Sequence, residues 1–117
     1  MSNEDDRLTK ALAHANYKAT IVQQRENLKL RYNNALLYAH NGGIFAVSQA
    51  LMSLVDLLIR QNQTDAVLID DKQMPVKVND LATFLEAIVS VYGEASNEYH
   101  VSWEELRKAR SVGAIIG

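Results

Sequence analysis

The chain has 117 residues, of which 48% are hydrophobic and 22% charged, with a formal net charge of -2. That composition excludes the disordered class and predicts one domain with one core. The near-neutral charge does not supply the broad positive field of a non-specific nucleic-acid binder. The absence of cysteine removes disulfides, thiolate nucleophiles and zinc-thiolate sites.

The start, Met1-Ser2-Asn3-Glu4-Asp5-Asp6, is acidic where a secretory signal is basic and then apolar. From Asp5 to about Ala39 there is no Gly or Pro, and Leu8, Leu12, Ala15, Ala19 and Val22 recur at helical steps. This predicts a first long helix, with its acids beside the positive end of the dipole. Gln23 to Asn27 is polar, and a second apolar set follows in Leu28, Tyr32, Ala35, Leu36 and Ala39. A helix of this length exceeds the body of so small a domain, so residues 1–27 are expected to project or to pack on another chain.

Asn41-Gly42-Gly43 reads as the C-terminal cap of that helix, because both residue types accept the left-handed conformation. Ser48 can cap a second helix reaching about Gln61. Its Leu51, Met52, Leu54, Val55, Leu58 and Ile59 cover more than one face, which predicts a short buried helix at the centre of the core. Its apolar run, Ala50 to Ile59, is interrupted by Ser53 and Asp56 and falls short of the roughly 20 residues of a membrane span.

Ala66 to Ile69 and Met74 to Val78 are β-branched-rich and are separated by Asp70-Asp71-Lys72-Gln73, the pattern of a hairpin with a four-residue loop. Pro75 confines the second strand to an edge or delays its pairing. From a cap at Asn79 or Asp80, Leu81, Leu85, Ile88, Tyr92, Ala95, Tyr99, Ser102, Leu106 and Ala109 alternate steps of four and three, a coiled-coil-type seam. Gly93 interrupts this last helix without ending it. Residues 111–117 form an apolar tail expected to dock. The fold class is therefore mainly α with a small β-hairpin: two long helices, one short buried helix and one two-stranded hairpin. The chain is one helical domain over 1–117, with its core at 28–110.

No motif converges on chemistry. His14, His40 and His100 are far apart and none forms a helical metal-binding pair, so neither metal nor other cofactor is expected. Glu94 and Glu98 share a face at i and i+4, and solvated surface acids explain them better than acid–base work. Asp65, Asp70 and Asp71 suit turns better than a cation loop. Asn97, Glu98, Tyr99, His100 and Trp103 form the densest polar-aromatic cluster, the composition of a binding hot spot, but Tyr99 belongs to the seam with Trp103 beside it, which favours interior or interface packing over a ligand pocket. Lys18, Arg25, Lys29 and Arg31, near Tyr17 and Tyr32, form the most basic stretch, a minority argument for nucleic acid.

Three segments carry a resemblance: Tyr38-Ala39-His40-Asn41-Gly42-Gly43-Ile44-Phe45; Val67-Leu68-Ile69-Asp70 through Met74-Pro75-Val76; and Asn97-Glu98-Tyr99 in a helix ending Arg107-Lys108-Ala109-Arg110-Ser111. Over roughly residues 28 to 112 the chain resembles small proteins of unassigned function from large contractile-tailed bacteriophages. The resemblance implies a viral origin, synthesis in the host cytoplasm and a role in virion structure or assembly, and it carries over no site residues.

The expected function is non-enzymatic: a structural or interaction protein whose long amphipathic helices associate with a second copy or with other viral proteins. The alternative is a small regulatory factor that binds a host protein or nucleic acid. No membrane partner is expected. The candidate interface residues are Leu8, Leu12, Val22, Tyr99, Trp103, Ile115 and Ile116.

Overall fold

The computed structural model describes residues 3–116. Their order is α1 (Asn3–Ala35), β1 (Leu37–His40), β2 (Gly43–Ala46), α2 (Gln49–Arg60), β3 (Ala66–Ile69), β4 (Pro75–Val78) and α3 (Leu81–Ile116). The mainly α architecture with a small antiparallel β component is as expected, but the β component is two separate hairpins rather than one. The chain divides into two compact units, Met1–Leu30 with Tyr99–Gly117, and Arg31–Glu98. Both long helices contribute residues to each.

The additional hairpin replaces the predicted end of the first helix. α1 stops at Ala35, and β1 pairs with β2 from Leu37↔Ala46 to His40↔Gly43. Asn41 (φ 47°) and Gly42 (φ 81°) are both left-handed, the conformation of a two-residue type I′ turn, whose twist matches that of the flanking strands. Left-handed Asn-Gly serves a helix terminus and a hairpin equally well. Alternation decides between them, since Phe45 is buried while Ile44 and Ala46 are exposed. The Val47 amide then donates to the Leu36 carbonyl at 2.8 Å and extends the ladder beyond the strands.

The predicted hairpin is present, with β3 against β4 from Ala66↔Val78 to Ile69↔Pro75. Its loop is tighter than expected. The Asp70 amide donates to the Met74 carbonyl at 2.9 Å and the Gln73 amide to the Asp70 carbonyl at 3.1 Å, with Gln73 left-handed at φ 64°. Because hydrogen-bonded and non-bonded pairs alternate along an antiparallel ladder, the Ile69–Pro75 pair next to this closing bond is non-bonded. The missing Pro75 amide proton therefore lies on the side away from β3 and costs the ladder nothing.

The core belongs to the Arg31–Glu98 unit and consists of Phe45, Val47, Val55, Leu68, Val76, Val78, Leu81, Phe84 and Ile88. Phe84 sits at its middle, with its ring 5.2 Å from Phe45 and 5.1 Å from His40 in edge-to-face geometry. α2 begins at the predicted cap, the Ser48 hydroxyl accepting from the Leu51 amide at 3.1 Å. It is not the sandwiched core helix that was expected. Only Val55 is buried, and Leu54 and Leu57 are turned away from the core and exposed. The hairpins and α3 form the centre instead.

α3 starts after Asp80, whose carboxylate accepts from the Thr83 amide at 3.1 Å and the Thr83 hydroxyl at 2.8 Å. Along its predicted seam Leu81, Ile88 and Ala95 are buried; Leu85, Tyr92, Tyr99, Ser102 and Leu106 are half-buried, and Ala109 is exposed. The backbone of residues 111–116 continues α3 rather than forming a separate tail. Their expected docking falls outside the described side chains.

One buried carboxylate joins the hairpins. Asp70 is 4% exposed, with Oδ2 accepting from the Ile44 amide at 3.0 Å. Oδ1 accepts from the Met74 amide at 2.8 Å and the Lys72 amide at 3.0 Å. The Asp71 amide donates to the Ile44 carbonyl at 2.9 Å, so both outward backbone groups of Ile44 are satisfied. The Met74 amide foremost, then those of Ile44 and Lys72, holds the Asp70 carboxyl below the usual carboxylate range. Gly43 permits this approach, because a Cβ there would collide with Val76 Cγ2 and sit 3.1 Å from Asp70 Oδ2.

Gly43→Ala should therefore lose about 1–3 kcal/mol, the usual cost of overpacking. Gly93→Ala, with no atom within 4 Å of the added Cβ, should gain up to about 1 kcal/mol from helix propensity. Urea unfolding of the two variants measures both, and equal effects would contradict the close approach at Gly43.

Candidate interaction surface

In the Met1–Leu30 and Tyr99–Gly117 unit, the inward face of α1 is Tyr17, Ile21, Arg25 and Leu28, of which Ile21 is buried and the others half-buried. The Arg25 guanidinium stands 5.5 Å from the Trp103 ring centre, and Trp103 packs edge-on against Tyr99 at 6.3 Å. Cation–π attraction and ring packing explain this cluster as a contact between the two helices. Tyr99 and Trp103, predicted as interface residues, are thus brought together, with Trp103 partly open at 37% exposure.

The predicted α1 interface residues lie elsewhere. Leu8, Leu12 and Val22 are 60%, 56% and 57% exposed, and Ala15 and Ala19 between them are exposed as well. At 3.6 residues per turn this stripe is centred roughly 145° around the axis from the inward face. This apolar stripe is therefore the outer face of α1. Leu30 extends it beyond Glu26 at 60% exposure. Ile115 and Ile116 lie outside the described side chains.

The basic stretch is divided by its neighbours: Arg25 covers Trp103, and Arg31 bonds Glu98 Oε1 at 2.9 Å. Lys18 and Lys29 remain as exposed cations on α1. Of the polar cluster, Glu98 is in that ion pair, while Asn97 and His100 are exposed, as is Glu94 one turn before Glu98. His14 is exposed on α1 and His40 is half-buried beside Phe84, so the histidines do not converge. Among the described residues no group of three or more His, Cys, Asp or Glu could hold a metal ion.

Two shallow pockets among the described residues lie in the Arg31–Glu98 unit. One, about 310 Å³, is lined by Ile59, Asn62, Gln63, Thr64, Asp80 and Ala82. The other, about 180 Å³, lies among Tyr38, His40, Asn41, Asn79, Asp80, Thr83 and Phe84. Asp80 borders both, but Thr83 takes both of its oxygens and lowers its pKa, which identifies it as a cap.

A further surface went unnoticed in the sequence. Val67 and Ile69 are 58% and 56% exposed on the outer side of the second hairpin, and Met74 at its loop is 46% exposed. The uninterrupted apolar run Ala66-Val67-Leu68-Ile69 conceals the alternation that turns Leu68 inward and its neighbours out.

No protein-family model matches this chain, and no match was found to a curated protein or a solved structure. No helix among the described residues is long and apolar enough to cross a membrane.

Because a ligand bound only by the native state raises its stability with concentration, melting scans with divalent cations, nucleotides and a chelator test whether any of these is a resident ligand. The melting temperature should stay within about a degree, whereas a saturable shift of several degrees would identify a site.

Proposed function

We propose that this chain is a non-enzymatic assembly protein, acting through helix-mediated association with a second copy of itself. The observation that carries the reading is the stripe of Leu8, Leu12, Ala15, Ala19 and Val22, which is exposed while the opposite side of α1 faces inward. Its steps of four, three, four and three are those of a coiled-coil seam, so the partner surface it fits is another helix of similar pattern. Such a stripe spans about 21 Å, and a contiguous apolar surface of that length marks an interaction site. Small residues at its centre allow the two helix backbones to approach closely.

The resemblance of the Tyr38–Phe45, Val67–Val76 and Asn97–Ser111 segments to small proteins of contractile-tailed bacteriophages supports a viral setting, with the association serving virion structure or assembly. Mass spectrometry of purified particles from the natural source separates this from a regulatory factor. An assembly protein is present in stoichiometric amount, whereas a regulator is missing from particles and has a soluble partner.

The association itself is tested by sedimentation equilibrium. The full chain, 13.1 kDa as a monomer, should self-associate at micromolar concentration. Leu12→Glu should shift the equilibrium toward monomer at least tenfold while changing stability by less than about 0.5 kcal/mol, as expected of an exposed site. A wild-type monomer at several hundred micromolar, indistinguishable from Leu12→Glu, would overturn the reading.

A further inference from the structure

The two hairpins present four strand edges, and two of them are already occupied. The outward groups of Ile44 on β2 are taken by Asp70 and Asp71. On β4, Pro75 has no amide proton and the Lys77 carbonyl accepts from the Asn41 side-chain amide at 2.8 Å. β1 follows α1 after the single residue Leu36, and its outward residues are Leu37 and Ala39. β3 is different. Alternation from the Asp70–Met74 closing bond directs the amides and carbonyls of Val67 and Ile69 away from β4. Neither residue's amide donates to, nor carbonyl accepts from, another backbone group outside that ladder among the described residues. Their side chains are more than half exposed, and Ala66-Val67-Leu68-Ile69 carries none of the charges, prolines or bulges that usually protect an edge.

We infer that β3 is a second self-association site, at which two copies pair antiparallel about Leu68 and form a continuous four-stranded sheet in the order β4-β3-β3-β4. The outward groups fix the register. Val67 of one copy lies opposite Ile69 of the other in hydrogen-bonded pairs, and the two Leu68 residues meet in the non-bonded pair on the two-fold axis. The β-branched side chains of Val67 and Ile69 then pack as cross-strand pairs on the outer face. Charge is compatible with a second copy, because each end of the pairing brings Asp65, already bonded to Lys77 at 2.9 Å, beside the partner copy's Asp71 and Lys72. Two carboxylates there meet two ammonium groups. This interface is independent of the α1 stripe, and it gives one chain two self-complementary surfaces.

The native chain contains no cysteine, so engineered thiols report the register directly. In a Leu12→Glu background, which silences the α1 stripe, the Val67→Cys/Ile69→Cys double variant should give a covalent dimer under mild oxidation at low micromolar concentration. Opposed Cα atoms at about 5.5 Å lie within disulfide reach. Either single variant should remain largely without the cross-link, because like positions fall on the diagonal at about 7–8 Å. Ile69→Lys in the same background, an exposed change that leaves the fold intact, should reduce dimer at least tenfold in sedimentation. Single variants that cross-link as fast as the double, a Val67→Cys/Ala39→Cys pair that cross-links in its place, or an unchanged sedimentation profile for Ile69→Lys would overturn the inference.

Discussion

The Arg31–Glu98 unit depends on one carboxylate held by three backbone amides. Two four-residue hairpins are marginal by themselves, and these two share no ladder. Asp70 supplies the missing connection, since its oxygens reach the Ile44 amide of one hairpin and the Met74 and Lys72 amides of the other. The Asp70–Asp71 segment serves β2 as a substitute neighbouring strand. A buried charge is costly unless hydrogen-bonded, and here every bond is charge-assisted and also pins the conformation of the β3–β4 loop. With the hairpins fixed, Phe45, Leu68, Val76 and Val78 point into one core, and Phe84 and Ile88 of α3 close it.

Much of this was legible. Apolar spacing, the caps at Ser48 and Asp80, and the turn residues between Ile69 and Pro75 located both long helices, α2 and the second hairpin, because each signal is local. The failures have physical causes. Asn41-Gly42 satisfies a helix terminus and a type I′ turn equally, and only tertiary burial of Phe45 and Tyr38 selects the turn. On α1, Leu8–Val22 is a regular apolar stripe, yet the face that turns inward uses Tyr17, Arg25 and their neighbours, whose polar ends conceal their packing surfaces. On α2 an apolar surface wider than one face suggested full burial, but Leu54 and Leu57 are in water. The partnership of Asp70 with Ile44 spans 26 residues and leaves no periodic trace.

The α1 stripe does not serve the core and is open to another chain, whereas Tyr99, Trp103 and Arg25 serve the packing of the helices. The outer face of β3 adds a second apolar surface built on backbone hydrogen bonding rather than on knobs and holes. Chains with two self-complementary surfaces extend or close into assemblies according to the angle between their two-fold axes, which is the behaviour an assembly protein requires.

Since its native pKa is lowered, Asp70 contributes stability above the ordinary aspartate range, and that contribution disappears as pH falls through the lowered value. The clasp is tested most directly by an NMR titration that follows the amide protons of Ile44, Lys72 and Met74. All three should shift together with one midpoint below the unperturbed value near 3.9, and the Asp70→Asn variant should lose all three transitions. An Ile44 amide that does not titrate with the other two, or a shared midpoint at the unperturbed value, would contradict the carboxylate as the link between the hairpins.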